Sequence, residues 1–583
     1  MNALVLLNSA SPAYREGIEM VLPYLDHLGV PYAALDLAAM PLPANLGDHE
    51  GRPYALVVVA HREIDPRGVY LGVAGRRALL DAARGGGGLV SFDPALPALA
   101  ELDAAPAAGA VEAEAIEFAP RSHYVTARHT PGETLPLFGP LSVPSLAPVG
   151  EVLLAAGGRP LLTAAVLGHG RVARWATSRW LHTAILGPLG GLDDVLWRSL
   201  VWAARKPFVL RGLPPLVAMR VDDVAGRGGL WGQSPLYWAH TANLHGFKPW
   251  LGLFIYSLTE PAVDELRDLV QRGRATAFPH AFGRPPRGDG DFHWYERALP
   301  LRATSYDEFI YFDHQRGLPW PDEEAARGLA AVDEWVAAHA PLPLSPYAIA
   351  HWGEMGSNVI PHVHDRWGCD LIAAYHGLDA PLEGASWLAA GPFRKFEEPG
   401  SALFDAAQRG KRPLYCADFI NLAGRQFFLC CTEIRDDAGY EWAPNNNVPG
   451  TVGRGVRQLR RALGSMALAV LFTHETDYIY TICPGAWEEE LAQIAAGIAD
   501  YNPVYVTIEE GVRYVRATRT ARLASCRYNV TTGEVTAIFT GRADVPTHFY
   551  LFTETGGEIE ARLVGVPAFE GETVITHKTD GRR

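Results

Sequence analysis

The feature that most constrains this chain is an alternation of short apolar runs with longer amphipathic stretches. It starts at once, breaks at a proline-punctuated stretch, and starts again. Residues 3–7 (ALVLL) and 55–60 (ALVVVA) are apolar runs of strand length, and 85–92 (GGGGLVSF) and 168–175 (GHGRVARW) end in two more. Helical patterning over about 13–28, in the stretch before 85, and over 192–204 fills the intervals. Strand, helix, parallel strand is the signature of a doubly wound α/β sheet, expected here over residues 1–205.

Residues 206–215 (KPFVLRGLPP) read as a linker. Beyond it the alternation resumes, with strands expected at 216–221, 248–255, 275–280, 347–351, 370–375, 427–433, 467–474 and 504–508. Helical stretches, such as 260–272, 321–339 and 486–499, lie between them. Seven or eight such units predict a (β/α) barrel over 206–520, whose chemistry would sit at the carboxyl ends of the strands. From 521 to 583 the texture becomes two hairpins, 525–539 and 547–564, a small antiparallel β-module.

Composition excludes several classes. Lys plus Arg is 51 against 65 Asp plus Glu, a net charge of −14, the opposite of what nucleic acid or anionic lipid attracts. The six cysteines all lie at or after Cys369 and form no CxxC pair, so neither a disulfide framework nor a cysteine-rich zinc site is expected. The first residues lack a basic segment, and their apolar run of about five is too short for a signal peptide or a bilayer span. The expectation is a cytoplasmic protein without nucleic-acid or membrane partners; a homo-oligomer stays open.

The expected barrel strands end in a series of polar residues: Asp222-Asp223, His280, His351 with Glu354, and His474 with Glu475. Adjacent carboxylates repel each other, and a cation relieves the repulsion. One can hold a divalent metal while the other serves as general base. A histidine on a neighbouring strand adds a ligand of the kind zinc, nickel or cobalt favours. A histidine across the site can protonate a leaving group. The plainer readings are a capped turn or helix for Asp222-Asp223, a satisfied core histidine for His280, a structural hydrogen-bonded cluster for His351 with Glu354, and a surface polar patch for His474.

The order of these motifs resembles that of the NodB-type polysaccharide deacetylases over about 215–520: Asp222-Asp223 ending the first strand, His280 next, and Leu471-Phe472-Thr473-His474 late. The resemblance implies a metal-dependent hydrolase that removes acetyl groups from a carbohydrate on a deacetylase-type barrel. Asp222 would be the base, His474 the acid, and Asp223 and His280 ligands to a divalent metal, zinc first, nickel or cobalt next. That family's second motif carries two histidines four residues apart. Position 284 here is Arg284, so His351, or else His314 or His293, is expected to complete the set. Residues 1–205 resemble the class I glutamine-amidotransferase-like or ThuA-like fold, with flavodoxin-like winding. They contain no cysteine nucleophile and no GxSxG elbow, so that domain is expected to be non-catalytic.

Eleven of the 15 tryptophans fall between residues 231 and 487, and indole faces stack well on sugar rings. Trp352, Trp294 and Trp442, together with Glu354, are the expected substrate contacts. Two other readings remain: a carbohydrate-binding protein on a degenerate deacetylase barrel, and a glycoside hydrolase using carboxylates such as Asp222 and Glu354.

Overall fold

A computed structural model describes residues 1–48, 50–96, 109–146, 150–182, 185–283, 309–314, 316–373, 393–394, 414–415, 417–430, 447–475 and 479–579. The chain is a mixed α/β protein dividing into two compact units, one of Met1–Pro214, Gly464–Met466 and Ala517–Arg583, the other of Pro215–Leu463 and Ala467–Arg516.

The first unit contains the expected doubly wound sheet and extends it. Tyr32–Asp36, Ala3–Leu7, Leu56–Val59, Gly88–Ser91 and Gly170–Trp175 lie side by side and parallel. The middle strands are buried throughout because helices such as Gly72–Arg84 pack against the sheet, which is why they read as unbroken apolar runs. Four antiparallel strands, Arg159–Leu167, Glu151–Ala156, Ala110–Phe118 and Thr134–Pro144, carry the sheet on to nine. This half is absent from the sequence reading. Its outermost strand carries Pro136, Pro140 and Pro144, which a strand tolerates only at an edge and which hide its alternation.

The late hairpins form as expected, Ala521–Asn529 with Glu534–Ala543 and Thr547–Thr555 with Glu558–Val566. Phe569–Lys578 pairs with the first hairpin, and Phe208–Leu210 pairs antiparallel with the second. The stretch read as a linker therefore contains a strand, and Val209 is buried among Phe539, Phe549 and Leu551. The short segment Gly464–Met466 is held within this unit by Trp197 Nε1, which donates to Gly464 O at 2.9 Å, and by Ser465 Oγ, which donates to Asp193 at 2.5 Å.

In the second unit each expected strand is present in whole or in part among the described residues, and residues 374–375 and 431–433 of two of them lie outside those residues. Thr276–Ala281, Pro249–Phe254, Leu216–Val224 and Ala469–His474 form a parallel sheet in that order, with Val504–Tyr505 pairing the start of Leu216–Val224. The crossover helix Glu260–Gln271 begins after the extended Thr259, with Pro261 in its first turn, and buries Ala262, Val263, Leu266 and Leu269 on one face. A second sheet comprises Tyr347–Ala348, Leu371–Ile372, Arg425–Cys430 and the antiparallel Ala417–Leu422. Ser345 N donates to Ala277 O at 2.8 Å and Trp250 Nε1 to Tyr347 O at 3.2 Å, which ties the second sheet to the first. Among the described residues the strands do not close into one barrel.

Candidate metal centre

The carboxyl ends of Leu216–Val224, Ala469–His474 and, beyond the intervening Pro249–Phe254, Thr276–Ala281 bring Asp222, Asp223, His474 and His280 to one end of the first sheet. Strand geometry alone would send Asp222 and Asp223 to opposite faces. The pairing of Leu216–Val224 with Pro249–Phe254 slips between Val221 and Val224, three steps on one strand against two on the other, and Asp223 has a φ of +57°. The bulge turns both carboxylates toward one imidazole. His280 Nε2 lies 3.6 Å from Asp222 Oδ2 and 3.5 Å from Asp223 Oδ1. A second register slip lies at His280 itself, where Leu253 pairs with Pro279 but Phe254 pairs with Ala281.

His351 comes from the other sheet, on the turn His351–Gly353 just beyond Tyr347–Ala348. Its Nε2 is 3.7 Å from Asp223 Oδ1, and its ring centroid is 5.1 Å from that of His280. Asp223, His280 and His351 each offer one ligand atom, all within 4.8 Å of one another, and this group could hold a metal ion. Bonds of about 2.0–2.1 Å at tetrahedral angles place ligand atoms roughly 3.3 Å apart, close to the 3.5 and 3.7 Å that separate Asp223 Oδ1 from the two imidazoles.

The protonation states suit that use. His280 Nδ1 bonds Ile349 O at 2.9 Å, which fixes the proton on Nδ1 and leaves the Nε2 lone pair toward the carboxylates. Burial lowers the pKa of His280 despite the pull of Asp222, and burial, reinforced by His280, holds that of His351 well below the ordinary range. Both rings are neutral at neutral pH, as ligands must be. One carboxylate and two neutral imidazoles are therefore a fitting donor set for a borderline divalent ion.

Asp222 is held differently. Burial would raise its pKa, but the Arg220 guanidinium, then His280 and His474, bring it down to about 2. Arg220 Nε donates to Asp222 Oδ1 at 2.8 Å and Nη2 to Oδ2, while the guanidinium lies 4.6 Å from the Phe472 ring centroid. Arg220 escaped the sequence reading because it interrupts an apolar strand; its position two residues before the carboxylate, on the same face, was the available signal. His474 is the register partner of Asp222 on the adjacent strand.

Glu475, next in the chain, is buried. It accepts bonds from the amides of Ala225, Gly226 and Arg227 at 2.5, 2.8 and 3.1 Å, and from Trp238 Nε1 at 3.3 Å. Burial nevertheless pushes its pKa up to about 7.

His314, expected as an alternative ligand, is not part of the Asp223–His280–His351 group. Its Nδ1 bonds Glu354 Oε2 at 2.8 Å, and the Phe309 ring lies parallel to both His314 and His351, with centroids 4.7 and 4.9 Å away. Glu354, expected to meet substrate, is buried on that bond instead, 1% exposed. Trp294, Trp442 and His293 lie outside the described residues, as does the side chain of Trp352. Among the described residues no helix is long and apolar enough to cross a membrane.

No family model matches this sequence, and no curated protein does. Among solved structures, the cytoplasmic protein STM3548 from Salmonella typhimurium is 16% identical, with a TM-score of 0.26 over 35% of this chain and 100% of its own. The cytoplasmic protein STM1381 from Salmonella typhimurium LT2 is 17% identical, with a TM-score of 0.25 over 35% of this chain and 96% of its own. The exo-β-1,4-mannosidase Op5Man5 from Opitutaceae bacterium strain TAV5 is 14% identical, with a TM-score of 0.21 over 34% of each chain.

Proposed function

We propose that this chain is a metal-dependent hydrolase that removes acetyl groups from a carbohydrate, acting in the cytoplasm. The observation that carries the reading is the convergence of two consecutive carboxylates on one neutral imidazole, with a second imidazole on Asp223 and His474 in register beside Asp222. The carbohydrate rests on the motif order shared with the NodB-type deacetylases, and the two sheets of the second unit are read as parts of such a barrel. The cytoplasm fits Cys369, Cys483 and Cys526, which form no disulfide among the described residues.

Asp223, His280 and His351 would hold the ion. Zinc suits them best, with nickel and cobalt next. A bound divalent ion supplies Lewis acidity toward the acetyl carbonyl and lowers the pKa of water. Asp222, kept ionised by Arg220, orients the attacking water and accepts its proton on a carboxylate oxygen. As the water oxygen bonds to the acetyl carbon and the bond to the sugar nitrogen or oxygen breaks, His474 gives a proton to that departing atom. Acetate and the free amine or alcohol result. Each proton transfer of this kind contributes about 10²–10⁴ in rate. The nine-stranded sheet of the first unit is assigned no chemistry.

Metal analysis of purified protein, alongside acetate release from a panel of acetylated amino sugars, tests the reading. One divalent ion per chain is expected in the wild type, lost together with acetate release in Asp223→Ala and in His280→Ala. A wild type that stays metal-free when supplied with zinc, nickel and cobalt overturns it.

A further inference from the structure

We infer that Glu475 is a positioning residue that sets Asp223 into the ligand group; the inference rests on the metal reading above. Asp223 reaches His280 and His351 only because the chain leaves strand geometry at a bulge and passes through the left-handed region. A non-glycine residue there is strained and persists only where its surroundings hold it. The holding group is on the next strand. The Glu475 carboxylate gathers three successive amides, those of Ala225, Gly226 and Arg227, and its fourth donor is the buried Trp238 indole.

Three amides on one carboxylate fix the course of the chain two to four residues past Asp223. Both oxygens of the side chain take part: Oε2 accepts from the amides of Ala225 and Gly226, Oε1 from the Arg227 amide and the Trp238 indole. Gly226 supplies the φ of +63° that lets its amide turn to the same acceptor as its neighbours. Glu475 follows His474, the register partner of Asp222, so its own position is set by the parallel pairing that carries the site. The carboxylate acts on the ligand through backbone, which separates its role from that of Asp222 and His474.

The test is zinc titration of the folded apo-protein by calorimetry, for the wild type, Glu475→Gln and Leu491→Ala. Leu491 is fully buried on the helix Pro484–Gly497, so its truncation lowers stability while leaving every hydrogen bond of the Glu475 carboxylate in place. Glu475→Gln puts an amide –NH₂ where an acceptor stood, and zinc affinity should fall about 10–100-fold. Leu491→Ala should keep its affinity within about twofold. If Glu475→Gln binds zinc within about threefold of the wild type, or if Leu491→Ala loses as much, Glu475 is a structural residue only and the inference is overturned. Should Glu475→Gln fail to fold, Trp238→Phe removes the indole N–H donor and keeps a smaller aromatic ring in its place. A loss of several-fold in zinc affinity is then expected, and none overturns the inference. A wild type that takes up no zinc, nickel or cobalt fails earlier, at the metal reading, and the variants are not needed to see it.

Discussion

Asp222 and His474 stand in register on adjacent parallel strands, so a carboxylate held near pKa 2 and an imidazole face the same edge of the sheet. Neither belongs to the three-residue group that could hold a metal. Two titratable groups beside a group that could hold a metal allow their proposed roles to be separated by substitution.

Asp222→Asn should retain the metal, because Asp223 and the histidines still hold it, yet lose turnover by about 10²-fold or more on every substrate. His474→Ala should also retain the metal, but its loss should depend on the leaving group. A nitrophenolate hardly needs a proton and a sugar amine needs one fully, so the defect should be far larger on an N-acetyl sugar than on an activated acetate ester. Steady-state rates on the two substrates decide it; equal losses for His474→Ala would remove it from the acid role.

Removing one member of a buried, hydrogen-bonded ion pair strands the other. Arg220→Gln leaves the Asp222 anion buried without its fork of donors and should cost about 3–5 kcal/mol of stability. Arg220→Lys keeps the charge but cannot reproduce the two-pronged contact, so an intermediate cost and reduced acetate release are expected. Urea unfolding of the three proteins measures the ladder. A loss below about 1 kcal/mol for Arg220→Gln would show that the pair is not the main restraint on Asp222.

Gly252 lies under the His280 ring. A Cβ there would sit 3.0 Å from the Trp250 ring and 3.1 and 3.2 Å from Cγ and Cβ of His280. Gly252→Ala should cost about 1–3 kcal/mol through overpacking, and it should weaken zinc binding because the ring must move. Calorimetric zinc titration gives the second readout. An unchanged affinity with reduced stability would mean that the backbone, not the imidazole, yields.

Two titratable groups in the first unit, the half-buried His27 and the buried Asp193, respond to pH in opposite senses. His27 Nε2 bonds Ser465 O at 2.7 Å, and burial lowers its pKa from 6.5 to about 4. Its contribution is present above pH 6.5 and lost as pH falls through about 4. Burial raises the Asp193 carboxyl from 3.8 to about 6, against the hydrogen bonds from Ser465, Tyr24 and the Leu189 amide. Its contribution is present below pH 3.8 and lost as pH rises through about 6. Each span corresponds to about 3 kcal/mol, so between pH 4 and 6 the two nearly cancel. Asp193→Asn should expose the histidine slope, with stability rising with pH, and His27→Gln the opposite slope. Urea unfolding across that range checks both, and curves parallel to the wild type in both variants would refute the pairing.

Strands of the second unit were legible because a parallel strand buried on both faces must be an apolar run, and 216–221, 248–255 and 467–474 are such runs. The grouping of Asp223 with His280 and His351 was legible because barrel-like sheets place chemistry at strand ends. What escaped was whatever depends on local departures from strand geometry. The bulge at Asp222-Asp223 has no sequence mark of its own, since its left-handed residue is an aspartate rather than a glycine. Arg220 looked like an interruption, Glu475 like part of a polar patch, and Gly252 like one more glycine. His314 was a plausible ligand by spacing, but its bond to Glu354 engages it elsewhere. Phe208–Leu210 was hidden by Pro207 and Pro214, and its partner strand is far along the chain.

That pairing bears on the order of events during synthesis. Val209 is made early, but its cross-strand neighbour Leu551 appears more than three hundred residues later. At ordinary elongation rates of about 5–20 residues per second, the early strand waits roughly 20–70 s for its partner. Throughout that interval Phe208, Val209 and Leu210, all fully buried in the finished protein, have no finished sheet to join. A ribosome stalled anywhere in the second unit therefore carries an apolar strand edge that cannot yet be closed. Nascent chains arrested there should bind a general holding chaperone more strongly than the full-length chain after its release.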